Sequence, residues 1–144
     1  MATRRMLNHT VVLYNYIGEV DDVASFQATV ISPCFCPTQN GAVKSSQGET
    51  SDDSATLYIF DHITKATSKD GTERTYVSYE VWKTLSVEDK AKHWTLSVTG
   101  KDYFQKENLN ADVRDELTDK FKILVVKRFD SGSRRMWHWE VFGK

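Results

Sequence analysis

Few residues in this chain are spaced for chemistry. Asp61 and His62 set a carboxylate beside an imidazole, the pairing that proton transfer uses. Neighbours on a strand point to opposite faces, so an exposed histidine beside a turn-proximal carboxylate is the simpler account. Cys34 and Cys36 share a face of a strand, but a bridge between i and i+2 fits disulfide geometry poorly, so both are expected as free, buried thiols. A zinc site needs a second pair of ligands, and His9, His62, His93 and His138 are scattered one per segment. The sequence has no phosphate loop, no Gly-x-Ser-x-Gly, no His-Glu-x-x-His and no glycine fingerprint after a strand. The expectation is a protein that is not an enzyme, with no catalytic residues, no cofactor and no metal.

Charge is more suggestive than catalysis. Lys127, Arg128, Arg134 and Arg135 bracket one turn near the C-terminus, so its tip should carry a compact positive patch, suited to phosphate or simply to solvent. Residues 37–55 hold Lys44 but also Glu49, Asp52 and Asp53, and form the opposing acidic stretch. Complementary patches on one small subunit suit head-to-tail contact between copies.

The elements that must position these groups are mostly strands. At 144 residues, 40% hydrophobic and 27% charged, the chain is one globular domain, 1–144, with a net charge of -1 that gives DNA no overall attraction. No apolar run approaches the roughly 20 residues of a membrane helix, and the N-terminus leads into strand-like sequence, so a cytoplasmic protein with no membrane role is expected. Phe121 to Phe129 and Met136 to Phe142 flank Asp130-Ser131-Gly132-Ser133, the strongest hairpin signal in the chain. Phe121, Ile123 and Val125 should share one face of its first arm, and Trp137, Trp139 and Val141 one face of its second, the latter in the core.

Asn8 to Ile17 and Val23 to Cys36 predict a first hairpin whose turn is supplied by Gly18-Glu19 and Asp21-Asp22, with Val11, Leu13 and Asn15 on one face and a bulge or edge at Pro33. Pro37 to Ala55 has Val43 as its one strong apolar residue and predicts a long, flexible polar loop. Thr56 to Thr67 alternates and should pair with Thr75 to Val77 about Asp70-Gly71. Tyr79, Trp82 and Leu85 at helical spacing, and Ser86 three residues before Asp89, predict short helical turns. Trp94 to Lys106 is strand-like with a break at Gly100, and Asn110 could cap a helix over Ala111 to Asp119. The fold class is mainly β: a small, largely antiparallel β-barrel of about six or seven strands with short helical inserts and one long polar loop.

Three stretches carry a resemblance. They are Met6-Leu7-Asn8-His9-Thr10-Val11-Val12-Leu13-Tyr14, then Trp94-Thr95-Leu96 with Gly100-Lys101-Asp102-Tyr103-Phe104, and finally Arg135-Met136-Trp137-His138-Trp139-Glu140-Val141-Phe142-Gly143-Lys144. Together they resemble the stopper, or head-completion, proteins of the head-to-tail connector of long-tailed bacteriophages. Such proteins often place a glycine soon after the Asp-Tyr pair, where this chain has Gln105-Lys106-Glu107-Asn108. The resemblance implies a homo-oligomeric ring under the portal and its adaptor, assembled in the bacterial host cytoplasm and carried in the virion. It implies a tail terminator or tail tube as the partner on the other side, and contact with packaged double-stranded DNA. The ring would seal the channel, with Pro37 to Ala55 as the segment reaching inward. A tail-terminator subunit is the neighbouring alternative. A free-standing nucleic-acid-binding barrel that uses Lys127, Arg128, Arg134 and Arg135 is the alternative from another class.

Overall fold

The computed structural model of the protein describes residues 7–39, 42–45, 48–51, 53–99, 101–107 and 120–144, with backbone alone for 42–45, 48–51 and Glu107. Met6, Gly100 and the helix expected over Ala111 to Asp119 lie outside these residues.

β1 (His9–Val20) turns its Val11, Leu13 and Asn15 inward, all fully buried, and pairs with β2 (Val23–Cys34). Asp21 and Asp22 hold φ of 51° and 64°, the left-handed pair that a two-residue I′ turn demands and that aspartate tolerates. The first hairpin thus forms, but Gly18 and Glu19 belong to the strand, facing Ser25 and Ala24, and only Asp21-Asp22 make the turn. At Pro33 the register shifts: His9 faces Cys34 whereas Val11 faces Ile31, so β2 carries an extra residue where a ladder donor is missing.

The chain then runs through β3 (Thr38–Gln39), β4 (Ala42–Ser45), β5 (Gly48–Ser51), β6 (Ser54–Phe60), β7 (Lys65–Thr67) and β8 (Thr75–Tyr76). Two helical turns follow, α1 (Tyr79–Trp82) and α2 (Val87–Lys90), then β9 (His93–Trp94), β10 (Tyr103–Glu107), β11 (Lys120–Phe129) and β12 (His138–Gly143). Eight strands build one antiparallel sheet in the order β3-β6-β12-β11-β10-β1-β2-β7, while β4 with β5 and β8 with β9 form separate two-stranded pairs.

The protein is therefore mainly β and antiparallel, but the expected closed barrel of six or seven strands is replaced by an open sheet whose edges, β3 and β7, do not pair. The sheet is curled, because the chain leaving β2 crosses to β6: Phe35 and Tyr58 exchange backbone hydrogen bonds of 3.4 and 2.8 Å. The second hairpin also departs from expectation. β6 ends at Phe60, where Thr64 accepts from the Phe60 amide at 3.1 Å and donates to the Pro33 carbonyl at 2.7 Å, so the chain is pulled round onto β2. The chain does turn at Asp70-Gly71, where Thr67 bridges Glu73 antiparallel, but Thr75 and Tyr76 then pair in parallel with His93 and Trp94 instead of with β6. The Pro37 to Ala55 stretch is not a structureless loop: it supplies β3, the β4–β5 hairpin and the start of β6.

The closing hairpin forms, with one change of phase. Ile123 faces Gly143, but Val125 faces Phe142, so Leu124 is an extra residue on β11. Before it, Phe121 and Ile123 are buried; after it, Val125 turns outward and Val126 packs on the core. The expected face of Phe121, Ile123 and Val125 is thereby split. The connection is longer than a tight turn, with a 3₁₀ turn over Arg134–Met136, and Trp137 ends that turn rather than sharing a strand face with Trp139.

Ser78 and Ser86 cap α1 and α2 through their hydroxyls, which accept from the amides of Val81 and Asp89, as the acidic residue after Ser86 suggests. Trp82 is buried, and beyond α2 the chain crosses the inner face of the sheet so that Trp94 and Leu96 join Leu13, Ile31, Leu57, Phe104 and Val141 in the core. Each such side chain contributes about 1.5–3 kcal/mol on burial. Cys34 and Cys36 are free and buried among them.

Candidate functional site

The acidic stretch is divided by the fold. Lys44 on β4 and Glu49 on β5 stand opposite each other in register, and Asp53 is half-buried just before β6. Asp52 lies outside the described residues. The β4–β5 ladder joins neither edge of the main sheet, so the chain leaves β3, forms an arm of its own and returns as β6.

The basic tip is also divided. Lys127, Arg134 and Arg135 are exposed, and the Arg134 guanidinium lies 5.3 Å from the Trp137 ring. Arg128 lies 6.0 Å from the same Trp137 ring, but its charge is engaged elsewhere. The extra residue at Leu124 reverses the phase of β11 and turns Arg128 to the inner side, where Nη1 and Nη2 donate to Asp61 Oδ1 and Oδ2 at 2.7 and 2.6 Å. Its guanidinium lies 4.8 Å from the Trp139 ring. The hydrogen-bonded Asp61 carboxylate raises the Arg128 pKa above its ordinary value. Asp61 thus serves Arg128, and His62 is exposed in the turn beside it.

This ion pair borders a cleft of about 630 Å³ that no local sequence signal announced. Its floor is apolar and buried: Ile31, Ile59 and Trp94. Tyr76 and Trp139 form a wall, with ring centroids 4.8 Å apart, and Tyr76 meets Trp94 edge-on at 5.1 Å. Burial pushes the Tyr76 hydroxyl pKa up, against the nearby Arg128 charge. The rim is charged. Lys65 and Glu73 pair across it at 3.4 Å, both well exposed. Arg74 is anchored instead by neutral oxygens, through Nε to the Ala91 carbonyl at 3.0 Å and Nη1 to the Ala28 carbonyl at 2.6 Å and Thr29 Oγ1 at 2.8 Å. Thr75 to Val77 could be read as strand but not as part of a site, because the parallel pairing that sets Tyr76 against Trp94 joins positions eighteen apart and leaves no periodic mark.

A second polar centre is buried about Asn15 and Asp102. Asp102 Oδ1 accepts from the Tyr16 amide at 2.8 Å and Oδ2 from Asn15 Nδ2 at 3.0 Å, while the same Nδ2 donates to the Thr95 carbonyl at 2.8 Å. Asn15 and Asp102 are 0% and 3% exposed. Burial raises the Asp102 pKa, opposed by hydrogen bonds from Tyr16, Asn15 and the Ser97 backbone. This node fixes the 95–97 segment to β1 and gives the Asp102-Tyr103 pair a structural role. Burial likewise pushes the Cys34 and Cys36 thiols up to about 12 and 11, so they are protonated and poorly nucleophilic. Among the described residues no group of three or more His, Cys, Asp or Glu side chains is arranged to hold a metal ion. No described helix is long and apolar enough to cross a membrane.

Comparison with known proteins gives one match. No curated protein and no solved structure matches the chain. A family model covers residues 6–144, nearly the whole sequence, and the chain belongs to that family of unknown function, DUF6751.

Proposed function

We propose that this protein is a structural subunit of a tailed-phage or prophage virion, a stopper of the head-to-tail connector that forms a ring, seals the DNA channel and docks the tail. The observation that carries the reading is the β4–β5 arm, a two-stranded ladder outside the main sheet, set between β3 and β6. An arm of this kind can be repeated around a ring and directed into a channel while the sheet serves as its frame. Support also comes from exposed apolar side chains on the closing hairpin: Leu124, Val125, Phe129 and Met136 are 41–54% exposed. Such residues suit contacts between subunits or with a neighbouring protein of the connector. The physical model is a gate of assembled arms and involves no chemical step.

The test is deletion of the gene from its parent element, induction of particles and electron microscopy of the lysate. Emptied heads standing apart from finished tails support the stopper. Headless tails lacking a terminal ring point to a tail terminator, and normal joined particles overturn the connector reading. Replacing 42–51 by a short glycine linker should leave the subunit folded while packaged DNA escapes.

A second reading, a nucleic-acid-binding module, is favoured by the exposed Lys127, Arg134 and Arg135. With Arg128 held by Asp61, the patch offers three phosphate contacts, so the logarithmic salt slope would be at most about 3. Absence of salt-dependent binding to duplex DNA excludes it.

A further inference from the structure

The charges around the cleft do not cancel. Lys65, Arg74 and Arg128 face it against Asp61 and Glu73, three positive groups against two negative, which leaves a net charge of one. Lys65 is paired with Glu73, and Arg128 bidentately with Asp61, so the remainder is Arg74. Among the described residues, Arg74 has no carboxylate within ion-pair distance, and its Nη2 makes no hydrogen bond, while Nε and Nη1 are held by carbonyls and a hydroxyl. A guanidinium is a rigid planar fork, so fixing two of its nitrogens also fixes where the third can donate. Arg74 lines the same cleft as Tyr76, Trp94 and Trp139, above the buried Ile31 and Ile59.

We infer that the cleft is a binding site for a single carboxylate carried on an aromatic body, with the carboxylate at Arg74 Nη2 and the apolar part against Tyr76 and Trp139. The volume suits a ligand of amino-acid size or somewhat larger. The single positive charge in excess among the lining residues favours a monoanion. A phosphate would bring a second charge into a rim that already holds Asp61 and Glu73. Partial burial lowers the Arg74 pKa, opposed by the charge of Asp70, which lies near Arg74 but does not line the cleft. The inference is independent of the connector reading, since the same chemistry is presented by a free aromatic acid or by an acidic residue next to an aromatic one in another chain.

The experiment is a titration of the isotope-labelled full chain with N-acetylphenylalanine, with its uncharged amide, and with a capped peptide in which glutamate is flanked by phenylalanines. Indole resonances of Trp94 and Trp139 and amide resonances of 74–76 report occupancy. The acid or the peptide should shift them, and the amide should bind at least about tenfold more weakly, the difference expected for one charge-assisted hydrogen bond. Arg74→Gln should bring the acid down to the affinity of the amide. If the free acid alone binds, the natural ligand is a small molecule; if the peptide alone binds, it is a chain segment. No shift with either, or equal binding of acid and amide, overturns the inference. The comparison of acid with amide needs only the unmodified protein, so it stands even if the loss of the Arg74 anchors to Ala28 and Ala91 unfolds the variant.

Discussion

Removing the Asp102 carboxylate should be among the most damaging single changes to this domain, and its cost can be worked from the three donors it satisfies. In Asp102→Ala, the Tyr16 amide and one N–H of Asn15 lose acceptors that now sit at 2.8 and 3.0 Å, and the Ser97 backbone loses one as well. Asn15 is fully buried, so water does not replace them easily. Each unsatisfied donor costs about 1–3 kcal/mol, or roughly 3–9 kcal/mol together, reduced by relief from burying an acid. The expected loss at pH 7 is about 3 kcal/mol, a large share of the roughly 5–15 kcal/mol typical of a domain. The pH dependence gives a second, independent reading. Burial raises the folded-state pKa above the ordinary 3.8. The stability linked to Asp102 is therefore fully present below 3.8 and is lost as pH rises through the folded value. Asp102→Asn keeps one acceptor, does not titrate, and turns an amide NH₂ towards that of Asn15. Its deficit relative to the native protein should be greatest in acid and should narrow as pH rises. Urea unfolding followed by tryptophan fluorescence, repeated across pH 4 to 8, measures both. A cost below about 1 kcal/mol for Asp102→Ala at pH 7, or a pH-independent gap for Asp102→Asn, would refute the reasoning.

Other expectations follow from single contacts. Gly143→Ala places a methyl 2.7 Å from Phe104 Cε1 and 2.8 Å from Phe121 Cβ, so it should cost about 1–3 kcal/mol by overpacking, read as a drop in Tm. A double-mutant cycle on Asp61→Ala and Arg128→Ala should return a coupling of about 1 kcal/mol, because the pair is bidentate but its side chains are 36% and 27% exposed. A coupling of zero would mean that the Trp137 and Trp139 rings, not Asp61, position Arg128. Cys34 and Cys36 should resist a thiol reagent at pH 8 in the native state and react with a stoichiometry of two in denaturant; fast native labelling would contradict their burial.

What the sequence revealed and what it concealed divide along a physical line. The β1–β2 turn, the Ser86 cap and the apolar faces of β1 follow from local sterics and period, and each was legible. The phase change at Leu124 was not, because a bulge is chosen by the partner strand and by how Phe121, Ile123 and Val126 fill one core. That single residue moved Arg128 from an expected surface patch into the cleft wall. Asp70-Gly71 does turn the chain back, through the Thr67–Glu73 bridge, and Thr75 and Tyr76 are strand, but their partner lies beyond two helical turns. The Pro37 to Ala55 stretch lacks apolar alternation, so its hairpin is held by backbone pairing that composition does not reveal.

An open sheet brings a hazard that a closed one avoids, since free backbone donors and acceptors along its two borders can recruit other chains without control. Here the borders are β3, two residues long, and β7, three residues long and starting at Lys65. Borders so short, one of them bearing a lysine, give an incoming strand little length to template on. Short borders of this kind disfavour uncontrolled edge-to-edge pairing between copies of the chain.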